Sequence, residues 1–177
     1  YIANSLEKET VLKRILQQVE VLLQCESCSI LLVDREINRL RFAVMSRDDQ
    51  VQALKDTTLA MGEGIAGSVW AHGMPVLISD AQRDPRFSDR ADRKSNTRTR
   101  SLIAVPLTVD GEIIGVMEAI NRNEGMFDNF DMILLQYVST QSAIAIKNAD
   151  LYDMAIRDGM TRLFIHKYFR ERLSEIG

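Results

Sequence analysis

Two cysteines, two histidines, three prolines and a single tryptophan occur in the 177 residues, so the side chains that most often carry metal or redox chemistry are scarce. Cys25 and Cys28 form a lone CxxC in QCESCSILLVD, and His72 and His166 lie far from them and from each other. A structural zinc site needs four ligands, so the pair reads as two plain thiols of a reducing compartment. Haem would require an axial histidine, and His72, in WAHGMPV, falls where a short helix should end. No HExxH, no P-loop and no glycine-supported nucleophile occurs, so this stretch of chain is not expected to be an enzyme or to hold a metal or permanent cofactor. Apolar runs stay far below the ~20 residues that cross a bilayer, and no charged leader with an apolar block opens the chain. The expectation is a cytoplasmic protein without membrane contact. Because Tyr1 stands where Met would begin a whole protein, the chain also reads as part of a longer one. A net charge of −3, from 22 basic and 25 acidic residues, leaves no general polyanion surface, so nucleic acid is not an expected partner.

What is present is alternation and helical periodicity. Leu12, Ile15, Leu16, Val19, Leu22 and Leu23 place one apolar stripe on a helix over 6–23. SCSILLVD and RLRFAVMS predict two strands joined by a polar turn at 34–38. A short helix over 48–56 and a strand at TTLAM lead into GEGIAGSVWAHG. Gly62, Gly64 and Gly67 have the GxGxxG spacing, but no long βαβ unit follows, so they mark a tight turn into a small helix. PVLIS is a short strand begun by Pro75. SLIAVPLTV and EIIGVMEAINR flank Asp110-Gly111, a two-residue hairpin signal. From Asp128 to about Asp158 neither proline nor glycine interrupts a helix whose Phe130, Leu134, Tyr137, Gln141, Ile144, Asn148, Leu151 and Ala155 follow a 4-3 spacing. That seam predicts a homodimer contact, with a second apolar face left for the sheet. The order of elements predicts an α+β domain: an antiparallel sheet with terminal helices on one face and smaller elements on the other.

Residues 80–100 break the pattern, with seven basic and four acidic residues around one aromatic, Phe87. So long a polar connection inside a domain is usually functional. Arg83, Arg86, Arg90 and Arg98 offer bidentate bonds to phosphate or carboxylate. Asp80, Asp84, Asp89 and Asp92 interleave with them, and a loop paired within itself is the plainer alternative. Thr97, Thr99 and Ser101 alternate with Arg98 and Arg100 before a strand, so one parity faces inward. Glu118 is the one charge inside an apolar strand; it faces either a cavity or solvent. The candidate ligand-binding set is Asp80, Arg83, Phe87, Arg98, Thr99, Ser101 and Glu118.

GEGIAGSVWAHGMPVLISDAQRDPRF and RSLIAVPLTVDGEIIGVMEAINR together resemble the GAF family of small-molecule sensor domains, over about residues 5–150. The resemblance implies six antiparallel strands, a ligand cavity on one face of the sheet, and 80–100 as its lid. Nucleotide-binding members carry an Asn-Lys…Phe-x-x-x-Asp-Glu pattern; Asn121, Arg122, Phe127 and Asp131 match it with Arg for Lys, and Met132 replaces the Glu. In the family the basic residue and the Asp pair beside the pocket. The implied ligand is a cyclic nucleotide or a small carboxylate. Bilin attachment, known in related domains, lacks a cysteine near the lid. DGMTRLFIHKYF resembles the opening of a GGDEF diguanylate cyclase domain through Asp158, Thr161, Leu163 and Phe169, with Arg162 and Ile165 where that family has Gly and Asn. The GGDEF signature itself does not occur in the chain. The expected organisation is a sensor over 1–150, a linking helix over 128–158 that overlaps its end, and the first piece of an output domain over 159–177. The expected function is small-ligand sensing that controls a cyclic-di-GMP-related output through a dimeric helix. A ligand-free dimerisation and spacing module is the alternative.

Overall fold

The computed structural model describes the backbone of residues 2–175 and the side chains of 5–168 and 170. Its elements are α1 (Ile2–Leu23), β1 (Cys25–Asp34), β2 (Arg39–Met45), α2 (Asp48–Leu54), β3 (Thr58–Leu59), α3 (Gly64–His72), β4 (Val76–Ile78), α4 (Arg90–Ser95), β5 (Leu102–Val109), β6 (Glu112–Arg122) and α5 (Asn129–Glu175), with a 3-10 turn at Ala81–Arg83. Six strands form one sheet in the order β3-β2-β1-β6-β5-β4, every neighbouring pair antiparallel. The expected GAF-like architecture is what the chain adopts.

Local chemistry explains most of the joints. Asp110 and Gly111 both take positive φ, 52° and 77°, the primed turn that matches the twist of β5 and β6. Helix α1 seats Leu12, Leu16, Val19 and Leu23 on the sheet, while Leu22 stays 63% exposed, which corrects its expected place in the buried stripe. Gln24, at φ 50°, turns the chain out of the helix and into β1. Helix α5 lays Leu135, Ser139, Ala143 and Ile146 on the same face; Ser and Ala let its backbone come close to β5. Its far end departs from expectation. Rather than stopping near Asp158, α5 continues unbroken to Glu175, because Gly159 costs only about 1 kcal/mol in a helix interior and no proline follows. Ile176 and Gly177, the last residues of the expected output segment, and the side chain of Phe169 lie outside the described residues.

The sheet divides two cores. On the α1/α5 face, Leu16, Leu23, Ile30, Ile103, Val105, Met117 and Leu135 pack together. On the other face, Leu31, Leu40, Ile65, Trp70, Leu102 and Val116 pack beneath α3. The expected loop at 80–100 carries the 3-10 turn and α4, whose RADRKS sequence offers no apolar period by which to foresee it.

Candidate ligand cavity

The second core is incomplete. Beneath α3 and α4 lies a space of about 80 Å³ lined by Phe42, Ile65, Phe87, Asp92, Thr99 and Glu118, among others. A second compartment of about 60 Å³ shares Phe42, Asp92, Thr99 and Glu118 with it and adds hydroxyl and amide groups from Ser27, Ser29, Gln50 and Thr97.

Strand parity puts Glu118 there. In β6, Met117 and Ala119 point into the α1/α5 core, so Val116, Glu118 and Ile120 face the cavity. Ser29 of β1 and Ala104 of β5 flank Glu118 in the register. Its carboxyl has no hydrogen-bond partner among the described residues, and the side chain keeps partial access to solvent through the cavity. Burial, and then the negative charge of Asp92, push its pKa up to about 7. The same parity decides the approach to β5. Thr99 and Ser101 are buried, whereas Arg98 and Arg100 face out, Arg100 donating to Glu26 at 2.8 Å.

Asp92, on α4, holds the roof to this wall: its carboxylate accepts the Thr99 N–H and the Thr99 hydroxyl, both at 2.7 Å. Glu63 anchors the other side of the roof. It accepts from the Ala60 N–H at 2.8 Å, Arg39 at 3.2 Å and Arg90 at 3.1 Å. Those contacts, the Ala60 N–H foremost, hold its carboxyl below the usual range. Because the Glu63 side chain is turned to these partners, it makes no cap to α3. The N–H groups of Gly64, Ile65 and Ala66 therefore have no partner among the described residues, and these residues line the cavity. Three orphan donors at a helix N-terminus favour an anion. The turn requires Gly67, where a Cβ would lie 2.5 Å from the Ala60 carbonyl oxygen.

Of the expected ligand-binding set, Phe87, Thr99 and Glu118 come together around the cavity. Asp80 and Arg83 lie outside it, paired at 3.5 Å with Arg83 89% exposed; Arg98 faces outward; Ser101 sits beside Asn121. Other lid arginines are also spent on carboxylates, Arg86 on Asp84 at 2.7 Å and Arg93 on Asp89 at 3.2 Å. The motif residues build a corner instead of a cavity wall. Asn121, at φ 58° and fully buried, accepts from the Arg100 and Ser101 N–H groups at 2.6 and 3.2 Å. It donates to Glu26 and to the Arg98 carbonyl, each at 2.8 Å. Arg122 pairs with Asp131; the Asp131 carboxylate also accepts the Asp128 N–H and the Asp128 carboxylate accepts the Asp131 N–H at the start of α5, while Phe127 packs in the α1/α5 core. Glu63, Asp92 and the α3 N–H groups were not foreseen; the only sequence signal for them is the glutamate inside GEGIAG and the aspartate parity of the lid.

Seam residues Tyr137, Ile144 and Leu151 are 66%, 45% and 52% exposed, with Gln141 and Asn148 on the same open side. Leu134 instead packs against its own α1/α5 core. The cysteine sulfurs lie 3.6 Å apart inside that core, remote from the cavity. The hydrogen bond with Cys25, and then burial, push the Cys28 thiol up. Among the described residues no group of three or more His, Cys, Asp or Glu is placed to hold a metal, and no helix is long and apolar enough to cross a membrane.

A model of the GAF domain family matches residues 7–146. The chain belongs to the GAF family. GAF domains are small-ligand sensor and regulatory modules found in signalling proteins. Relatives of this GAF domain include the dual 3′,5′-cyclic-AMP and -GMP phosphodiesterase 11A of Takifugu rubripes, 34% identical over 161 residues, covering 85% of this chain and 18% of that protein. The cGMP-specific 3′,5′-cyclic phosphodiesterase of Drosophila melanogaster is 29% identical over 170 residues, 89% of this chain and 15% of that one. The chain thus spans less than a fifth of these relatives' length. Among solved structures, the GAF domain of a phosphoenolpyruvate-protein phosphotransferase from Coxiella burnetii superposes with TM-score 0.75 at 18% identity, covering 83% of this chain and 86% of that one. Residues 122 to 287 of a methyl-accepting chemotaxis protein give 0.69 at 22% identity, covering 82% and 92%. At such identities the GAF fold is what is shared.

Proposed function

We propose that this GAF domain is a cytoplasmic sensor of a cyclic purine nucleotide, which binds between Glu118 and the N-terminus of α3 and is read out through α5. The carrying observation is the cavity's two-ended chemistry: three orphan N–H groups for a phosphate and an unpartnered carboxyl for the donor edge of a base. The names of the curated relatives, which act on cyclic AMP and cyclic GMP, point to the same ligand class. A small carboxylate fits less well, since it would share the space with Glu118 and Asp92.

As it stands, the cavity is too small for a nucleotide. Small-molecule pockets begin near ~300 Å³, so a nucleotide must displace the roof. Four polar ties hold that roof: Asp92 to Thr99, Arg90 to Glu63, Lys94 to Thr57 at 3.1 Å, and Gln50 to Thr97 at 3.3 Å. Ligand bound beneath α4 shifts these ties and, through the sheet, the seating of α5. In a homodimer joined along the Tyr137, Ile144 and Leu151 face, that shift changes how two α5 helices meet, and a GGDEF-like output begun at Asp158 follows the pairing. Binding biases the output only through its differential affinity for the two pairings. Calorimetric titration with cyclic GMP and cyclic AMP tests the sensor reading; no heat and no thermal stabilisation with either nucleotide overturns it. Assaying the longer protein for conversion of GTP to cyclic di-GMP, with and without nucleotide, tests the output.

The alternative, a ligand-free dimer module, draws on the small cavity and the exposed seam. Tyr137→Glu with Ile144→Glu should convert a dimer to monomer in sedimentation under either reading, because neither side chain supports the domain's own core. Leu134 is unsuited to that test, since its loss also damages the fold.

A further inference from the structure

Glu118 is placed where its charge cannot be ignored. The elements packed around it present Ser27 and Ser29 from β1, Phe42 from β2, Gln50 from α2, Thr99 and Leu102 from the β5 side, and the first turn of α3. None of these is charged. From α4 come Asp92, already bonded to Thr99, and Arg90, whose guanidinium is committed to Glu63 at 3.1 Å. The carboxyl thus has no cation to hold it ionised and no hydrogen-bond partner among the described residues to hold it neutral.

A carboxyl in that position presents one of two patterns. Ionised, it has two acceptor oxygens; protonated, it has one acceptor and one donor. Purines differ in the same respect. The guanine edge sets N1–H beside an exocyclic NH₂, two adjacent donors. The adenine edge sets an exocyclic NH₂ beside the acceptor N1. We propose that the protonation state of Glu118 selects the purine edge: guanine when the carboxyl is ionised, adenine when it carries its proton. This rests on the cavity being the nucleotide site. Asp92 acts as a positioning residue; its charge, facing the same space, favours the protonated and hence adenine-accepting form. The exchange between the two forms falls at about pH 7, so the preference turns over within the physiological range.

Calorimetric titration of the dimeric domain with cyclic GMP and with cyclic AMP tests this. Between about pH 5.5 and about pH 8.5, where neither nucleotide titrates at its base, the ratio of the two dissociation constants should move toward cyclic GMP by tenfold or more. Glu118→Gln, whose amide keeps one donor and one acceptor, should abolish the pH dependence and fix the preference for cyclic AMP. Asp92→Asn should move the crossover to lower pH. A ratio that is flat with pH in the unmodified domain, or a pH-dependent ratio that survives Glu118→Gln, overturns the selection while leaving the nucleotide site intact. Absence of binding by both nucleotides at every pH overturns the site and the selection together.

Discussion

The two faces of one sheet are built to different ends. On the α1/α5 face, aliphatic side chains from α1, β1, β5, β6 and α5 fill the space, and the small residues of α5 bring that helix close. Beneath α3 and α4 the same strands meet a void, a bare helix N-terminus and an unpartnered carboxyl. The first face holds the domain together, and the second leaves stability ungained around its cavity.

That contrast sets an order of effects. Leu135→Ala, on the filled face, should cost about 4 kcal/mol in urea unfolding, since a fully buried leucine there leaves a void its neighbours cannot close. A loss below about 1 kcal/mol would show that face to be the looser one. Asn121→Ala, at the corner between faces, should cost about 3 kcal/mol: it strands two N–H groups and a carboxylate and puts alanine at φ 58°. Asn121→Gly, which removes the bonds and relieves the backbone, separates the two contributions.

Glu118→Gln should act in the opposite direction. The folded chain keeps the Glu118 proton up to about pH 7, whereas an unfolded chain gives it up near the ordinary carboxyl value of 4.5. Its contribution is therefore complete below pH 4.5 and declines as pH rises toward 7, by about 1.4 kcal/mol per unit and roughly 3 kcal/mol in all. At pH 8 the glutamine variant should be the more stable one, by roughly 3 kcal/mol, and its unfolding should lose that slope. Unfolding midpoints at pH 5 and pH 8 check this; equal pH slopes in the two proteins would place the carboxyl in contact with solvent. Smallest of all, Arg86→Ala removes an exposed pair with Asp84 and should change stability by less than about 1 kcal/mol.

How far the sequence speaks for each face follows from the same contrast. Alternation in β2, β5 and β6 and the 3.6-residue stripe of α1 are repeated signals, so the sheet, its hairpin and the helices that cover it were legible. Leu22 and Leu134 show the limit: each has the right residue type for its assigned face, but where the helix rolls against the sheet is decided by neighbours. The cavity was legible only where it reuses strand parity. Phe87, Thr99 and Glu118 were named, while Asp92 acts through Thr99, 7 residues on, and Glu63 joins its near neighbour Ala60 to Arg39 and Arg90, 24 and 27 residues away. The α3 donors are backbone groups, which no side-chain letter records. Helix α4 stayed hidden because RADRKS has no apolar face; its tie to Thr99 orders it.

Helix α5 carries a consequence of a mechanical kind. Among the described residues Ile146 is the last of α5 in the sheet core, Asp150 pairs with Lys8 of α1 at 2.9 Å, and 29 residues run on from Ile146 to Glu175, about 43 Å. A tilt of about 3° at that fulcrum, within what repacking of one side chain produces, swings the tip by about 2 Å on that arm. If a ligand enters under α4 as proposed, the displacement it causes need not be large, because the length of α5 multiplies it toward the helix's far end.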